Sequence, residues 1–188
     1  MKLVFDVETN GLNYRDDVLS FSALLIDDGG EIVKEIDRYY FPESGHYNLK
    51  AVSVNGLTEE TIEKKRSGAT YPEFFSDDQE VADLFCIVDE LIAHNIRFDV
   101  NFVEYHLDLD LSKKKKVCTM LSTQYLYDAP YENYGEPKWP KLSEAAAWAE
   151  IDTSKFESKG GFHSSLFDVY CTYEIYRHLA ENGYSLEA

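Results

Sequence analysis

Apolar residues dominate two early stretches, near 2–7 and 18–27, and recur through a third near 31–41, each of strand length. Asp28-Gly29-Gly30 between the second and third has the composition of a hairpin turn. The segment 42–57 carries no sustained period and is expected to be loop. Thr58 is placed to cap a short helix, and Asp77-Asp78 precedes a longer one. A fourth strand is predicted near 90–94. Apolar residues at 98, 102 and 103 then have helical spacing, which sets Asp99 in the first turn of a helix. Val117-Cys118-Thr119 reads as a short last strand, with helices near 119–127, 142–149 and 164–180. Antiparallel strands first and helix-linked strands later predict one α/β domain over 1–188, a mixed central β-sheet flanked by α-helices.

The polar exceptions within this pattern carry the chemistry. Asp6 and Glu8 end the first strand in Leu3-Val4-Phe5-Asp6-Val7-Glu8-Thr9-Asn10-Gly11-Leu12. Residues two apart on a strand share a face, so two carboxylates stand side by side at the mouth of a sheet. Each raises the other's pKa unless a cation lies between them, and hard oxygen ligands suit Mg²⁺ or Mn²⁺. Two solvated acids at a polar strand end would give the same pair. Ala93-His94-Asn95-Ile96-Arg97-Phe98-Asp99 adds a third acid at a helix start. Gly161-Phe162-His163-Ser164-Ser165-Leu166-Phe167-Asp168 adds a histidine and a fourth acid. A five-residue step turns side chains by roughly 140° within a helix. Ser164 or Ser165 as N-cap instead leaves His163 on the preceding loop, free to turn towards Asp168, with Gly160-Gly161 as its approach.

These three stretches resemble the three motifs of the DEDD-superfamily 3′–5′ exonucleases, in the histidine branch that includes the proofreading epsilon subunit of bacterial replicative DNA polymerase and ribonuclease T. Weaker echoes are Val54-Asn55-Gly56-Leu57-Thr58, Val117-Cys118-Thr119 and Lys141-Leu142-Ser143-Glu144-Ala145. The tyrosine branch would want a tyrosine four residues before the last aspartate, where Ser164 stands. Ser164-Ser165 and Leu166-Phe167 depart from the small alanines usual there, and Asn10 stands where threonine is common. The resemblance implies a ribonuclease H-like fold and hydrolysis of the terminal phosphodiester of single-stranded DNA to nucleoside 5′-monophosphates. It implies two Mg²⁺ or Mn²⁺ ions. By that resemblance Asp6, Glu8 and Asp168 would hold one, Asp6 would bridge to the second, and Asp99 would lie near that second ion. His163 is implied as general base, a role suited to imidazole at neutral pH. Thr9 and Leu12 would border the terminal nucleotide, with Asn95 and Phe102 close by. RNA or short-oligonucleotide trimming, or a low-turnover polymerase-associated binding module, are the alternatives. A DNA polymerase or other protein is the possible partner.

The charge complicates that picture. A net charge of −17 is unusual for a protein that handles nucleic acid, which ordinarily presents a basic track. Lys113-Lys114-Lys115-Lys116 is the longest basic cluster, either a solvated turn or a handhold for a substrate backbone. The aromatic-rich stretch from Tyr125 to Trp139 is either a substrate-facing flap or a loop folded onto the domain. No signal-peptide pattern and no membrane-length apolar run are read. Cys86, Cys118 and Cys171 lack CxxC spacing, and a reduced, cytoplasmic protein is expected.

Overall fold

The computed structural model describes residues 1–127 and 137–188. Strands β1 (Lys2–Thr9), β2 (Val18–Ile26), β3 (Ile32–Tyr39), β4 (Glu90–Ala93) and β5 (Lys115–Cys118) form one sheet in the order β3-β2-β1-β4-β5. β1–β2 and β2–β3 pair antiparallel, β1–β4 and β4–β5 parallel, which is the mixed sheet expected. Around it are helices α1 (Leu49–Asn55), α2 (Glu59–Lys65), α3 (Gln79–Ile87), α4 (Ile96–His106), α5 (Thr119–Gln124), α6 (Leu142–Trp148) and α7 (Ser165–Glu181).

Alternation along β1 divides its side chains between two layers. Leu3, Phe5 and Val7 enter the core beneath α3 and α4, where Phe5 meets Phe85 edge-on at 5.2 Å between ring centroids. Val4 points the other way, with Leu24, Ile92 and Val117, under Val169, Tyr173 and Tyr176 of α7. Asp6 and Glu8 continue the row of Val4. The strand period therefore carries both acids towards α7, the helix that bears Asp168.

The sheet also splits. β1 pairs with β4 only at Lys2, Leu3 and Val4, yet stays on β2 as far as Thr9. Beyond Val4 its other edge is open, and α4 enters there. The Val7 amide donates to Asp99 Oδ1 at 3.1 Å instead of to a neighbouring strand. Asp99 is thus brought to the two strand carboxylates from the opposite layer.

Most expected helices are found within a few residues of their predicted ends, and two caps are formed as read. The Thr61 amide donates to Thr58 Oγ1 at 3.1 Å, and the Val81 amide to Asp78 Oδ1 at 3.2 Å. The segment 42–57 is a correction, because it contains α1. No residue of α1 is buried, and at seven residues it is too short to show a sustained helical period. Its caps define it: Asn48 accepts from the Lys50 amide, and Gly56 closes the helix at φ +69°.

The lysine run follows the structural alternative, a turn that leads into a strand. It opens β5, at the end of the sheet remote from Asp6 and Glu8. Lys114 Nζ donates to the carbonyls of Val88 (2.6 Å) and Cys86 (3.2 Å), and Lys116 Nζ to that of Leu111 (2.6 Å). Lys115 Nζ pairs with Glu90 at 3.0 Å. These lysines close the lower end of the sheet and offer no handhold near the acids. Of the Tyr125–Trp139 stretch, residues 128–136 lie outside the described residues, so the flap expectation falls largely there.

Candidate active site

Asp6, Glu8, Asp99 and Asp168 meet where β1 outruns β4. Glu8, His163 and Asp168 bring potential ligand atoms within 4.8 Å of one another. Asp6 Oδ2 and Asp168 Oδ1 are shielded from solvent and have no hydrogen-bond partner. A desolvated carboxylate oxygen without a partner is costly, and here two occur in one cluster.

The four acids are displaced together. Burial, and then the charges of Asp99, Asp168 and Glu8, hold the Asp6 carboxyl well above the usual carboxylate range. Burial and the charges of Asp168 and Asp99 push Glu8 up to about 8, against a hydrogen bond from Asn55. Burial pushes Asp99 up to about 8, opposed by the Val7 amide, and Asp168 up to about 7, opposed by the His163 amide. Among the described residues, no recorded ion pair involves any of the four. Hard oxygen donors, two of them orphaned, beside an imidazole, fit a divalent cation.

The loop before α7 is tightly constrained. Gly160 adopts φ +121°, and a Cβ there would lie 2.7 Å from Ser164 Oγ, so only glycine fits. His163 has φ +73°, and its amide donates to Asp168 Oδ2 at 3.1 Å. Ser164 occupies the N-cap position, but its hydroxyl turns back to the Lys159 carbonyl at 3.2 Å. The bond from the His163 amide to Asp168 ties the loop to the first turn of α7 instead. The departure at Ser165 also has a structural account: its buried hydroxyl lies 2.7 Å from Ser22 Oγ and 3.0 Å from Ser20 Oγ, and Ser22 in turn donates to Asp37 at 2.8 Å. This chain of hydroxyls fastens the start of α7 to β2 and β3, and leaves the His163 side chain exposed at the site.

A cavity of about 480 Å³ opens on one side of Glu8, walled by Thr9, Leu12, Lys50, Val54, Asn55 and Phe98 among others. Thr9 is buried and its hydroxyl donates to the Gly11 carbonyl at 2.6 Å, so it shapes the wall without a free donor. Leu12 is 90 % exposed at the mouth. Phe102 is a correction: one helical turn inside α4 it points into the core, 1 % exposed, and supports Phe98 at 4.8 Å between rings. Phe98 is the aromatic that reaches the cavity. Asn95 is exposed at the head of α4 with φ +71° and is not among the residues lining the cavity.

The α1 wall was not legible as a site. Asn10 holds it in place, donating to the His46 carbonyl at 2.6 Å and accepting from the Asn48 amide at 2.8 Å. Asn55 donates to the Thr9 carbonyl at 3.2 Å, which joins the end of α1 to the end of β1. The available signals were the Asn48–Gly56 cap pair and the echo around Asn55. A second, smaller cavity of about 190 Å³ also borders Glu8, with Tyr39, Lys65 and His163 in its wall. His94 serves structure: its ring bridges Thr119 Oγ1 and the Pro140 carbonyl, each at 3.0 Å, and burial lowers its pKa to about 4.

Three comparisons bear on this geometry. A family model described as an exonuclease family, RNase T, matches residues 3–176. DNA polymerase III PolC-type from Streptococcus pyogenes serotype M2 is 31 % identical over 103 residues, and that from Staphylococcus haemolyticus 32 % over 104. Each alignment covers 54 % of this chain but 6 % of the relative, so the chain spans a small part of the length of these proteins. E. coli Exonuclease I in complex with a dT13 oligonucleotide superposes with a TM-score of 0.66 at 17 % identity, over 95 % of this chain and 40 % of that one. The Neurospora crassa Pan2 catalytic unit gives 0.55 at 13 % identity, over 97 % and 28 %. At such identities the structural likeness speaks for the fold, which is ribonuclease H-like.

Proposed function

The chain belongs to this exonuclease family, of the DEDD 3′–5′ type, and from that premise we propose that it removes nucleotides from the 3′ end of single-stranded DNA and releases nucleoside 5′-monophosphates. One observation carries the reading: four carboxylates converge without a recorded counter-cation, two with orphaned oxygens, beside a cavity large enough for a nucleotide.

Asp6, Glu8 and Asp168 would hold one divalent ion, Mg²⁺ or Mn²⁺, and Asp6 with Asp99 a second. When bound, two such ions stabilise both the attacking and the leaving oxygen of an in-line phosphoryl displacement. The chain's own residues do the rest. A ring nitrogen of His163 accepts the proton of the attacking water, from a loop that its amide anchors to Asp168. Leu12 and Phe98 grip the terminal nucleoside through apolar contact, which suits any base. The raised carboxylate pKa values also make ion binding a proton-releasing step.

The single-stranded DNA substrate is supported by the oligonucleotide complexes of Exonuclease I, and a working link to a polymerase by the PolC-type relatives. The test uses 5′-labelled single-stranded DNA and the matching RNA, with Mg²⁺ or Mn²⁺, beside Asp6→Ala and His163→Ala proteins. A ladder shortening from the 3′ end and lost in both variants is expected. Faster decay of the RNA would transfer the assignment to RNA trimming. Intact substrate under every condition would refute the enzyme reading.

A further inference from the structure

We propose that the face of α4 beyond Phe98, together with the β1–β2 loop, is a stacking platform for the upstream bases of the bound single strand, with Tyr14 and Tyr105 as its contact residues. The inference rests on the exonuclease reading above and adds where the rest of the strand lies.

The first argument is direction. His163 lines the small cavity at Glu8, whereas Leu12 and Phe98 line the large one, and the two cavities share only Glu8 and Asn55 in their walls. An in-line displacement sends the leaving oxygen away from the attacking water. With His163 serving that water, the remainder of the strand departs towards α4.

The second argument is what stands there. Phe98, Asn101 and Tyr105 are spaced by three and four residues, so they form one stripe along α4. Tyr105 lies about 10 Å along the helix from Phe98, roughly three stacked base steps. Beside it the β1–β2 loop brings Tyr14 edge-on to Tyr105, with 5.3 Å between centroids. Both rings stay open to solvent, 41 % and 51 % exposed, and with Asn101 and Glu104 they wall a shallow cavity of about 330 Å³. The loop is fixed in that position by His106, whose Nε2 is 2.9 Å from the Asp16 carbonyl.

The third argument is charge. In so acidic a chain this border carries two exposed arginines: Arg15, whose guanidinium lies 5.5 Å from the Tyr14 ring centre, and Arg97 in the first turn of α4. The nearby acids have partners. Glu104 accepts from the Leu111 amide at 2.8 Å, and Asp16 from the Asn13 amide at 2.9 Å. Stacking on aromatic rings needs no basic track, so the platform also accounts for how a chain of charge −17 retains a polyanion.

The test measures binding of a 5′-labelled hexanucleotide to the Asp6→Asn protein, intact or with one abasic position moved stepwise from the 3′ end. With the tyrosines present, an abasic site about three or four positions in weakens binding roughly tenfold. In proteins that also carry Tyr14→Ala and Tyr105→Ala, intact and abasic strands bind alike, at the weaker level, and Tyr105→Trp restores the difference. An unchanged melting temperature excludes misfolding as the cause. Persistence of the abasic effect without the tyrosines would overturn the platform while leaving the exonuclease reading intact. Failure of the parent protein to shorten any strand would instead remove the reading beneath it.

Discussion

Two of the regions in which this molecule buries carboxylates do so in opposite ways. Asp78 is 1 % exposed at the head of α3. Arg38 Nη1 donates to both of its oxygens at 2.6 and 2.7 Å, Tyr40 donates at 2.8 Å, and the Val81 amide at 3.2 Å. At the end of β1, four acids converge with no recorded ion pair, and two oxygens have no partner of any kind. Burial of an acid therefore says little by itself. What separates a structural carboxylate from a reactive one is whether the surrounding chain satisfies it or leaves it for an ion.

The largest expected effects test that contrast directly. Asp6→Asn should lower exonuclease activity by about 10³-fold or more, several kcal/mol of transition-state stabilisation. The same change relieves repulsion in the metal-free site, so stability to urea should rise, by about 1 kcal/mol. Asp78→Asn should do the reverse, costing about 1.5–3 kcal/mol because Arg38 and Tyr40 lose their buried charged acceptor and Arg38 keeps only the exposed Glu80 as counter-charge. At temperatures where it stays folded, its turnover should match the parent. Loss of stability in the first variant, or of turnover alone in the second, would dissolve the distinction.

His163→Ala comes next, with an expected fall of about 10²–10⁴-fold in turnover. Its anchor to Asp168 is a backbone amide, so the loop should persist in the variant. Calorimetric titration with Mn²⁺ should still show binding through the carboxylates. If ion binding vanished with the imidazole, His163 would be a ligand and not a base.

A smaller effect, of a few degrees in melting temperature, follows from the raised pKa values. Between about pH 4 and 8 the folded chain keeps protons on Glu8, Asp99 and Asp168 that the unfolded chain has released. Their contribution to stability is complete below the unfolded values and is lost as pH rises through 7 to 8. The chelator-treated protein should therefore melt lower at pH 8.5 than at pH 5.5, and Mn²⁺ should raise the melting temperature more at the higher pH. Asp99→Asn keeps the acceptor for the Val7 amide while removing one charge, so it should flatten the slope. A chelated protein that melts higher at pH 8.5 would contradict the assignment.

The contrast was only half legible in the sequence. Alternation in β1 sent Asp6 and Glu8 to one face, and helical spacing put Asp99 in a first turn, because those are local consequences of backbone geometry. The split between β1 and β4 that lets Asp99 reach Val7 is a matter of pairing length, which no local pattern encodes. Phe102 and Phe98 lie four residues apart on adjoining parts of one helix surface. Which of them meets the core depends on how α4 is rotated against α3 and β1. Helix α1, with no buried residue, was invisible to a reading based on apolar period, although it walls the cavity. The satisfied acids were equally hidden, since nothing near Asp78 announces that Arg38 will cross from β3 to meet it.

The lower end of the sheet supplies the smallest effect and an intermediate case. Glu90 is nearly buried, and two cations share it, Lys115 at 3.0 Å and Lys2 at 3.8 Å. Lys115 is largely exposed, so its removal leaves Glu90 with the second partner, and Lys115→Ala should shift stability by less than about 1 kcal/mol. Lys114→Ala should cost somewhat more, about 1 kcal/mol, because its ammonium satisfies two backbone carbonyls. Neither change should alter KM for a single strand at low salt, since both lysines stand at the far end of β1 from the acids. A weaker KM in either variant would place the strand along the sheet's lower edge and away from Tyr14 and Tyr105. Unchanged KM there, set beside weakened binding on loss of the tyrosines, would mean that this acidic chain holds its polyanion through stacked rings near the site and not through its densest cluster of positive charge.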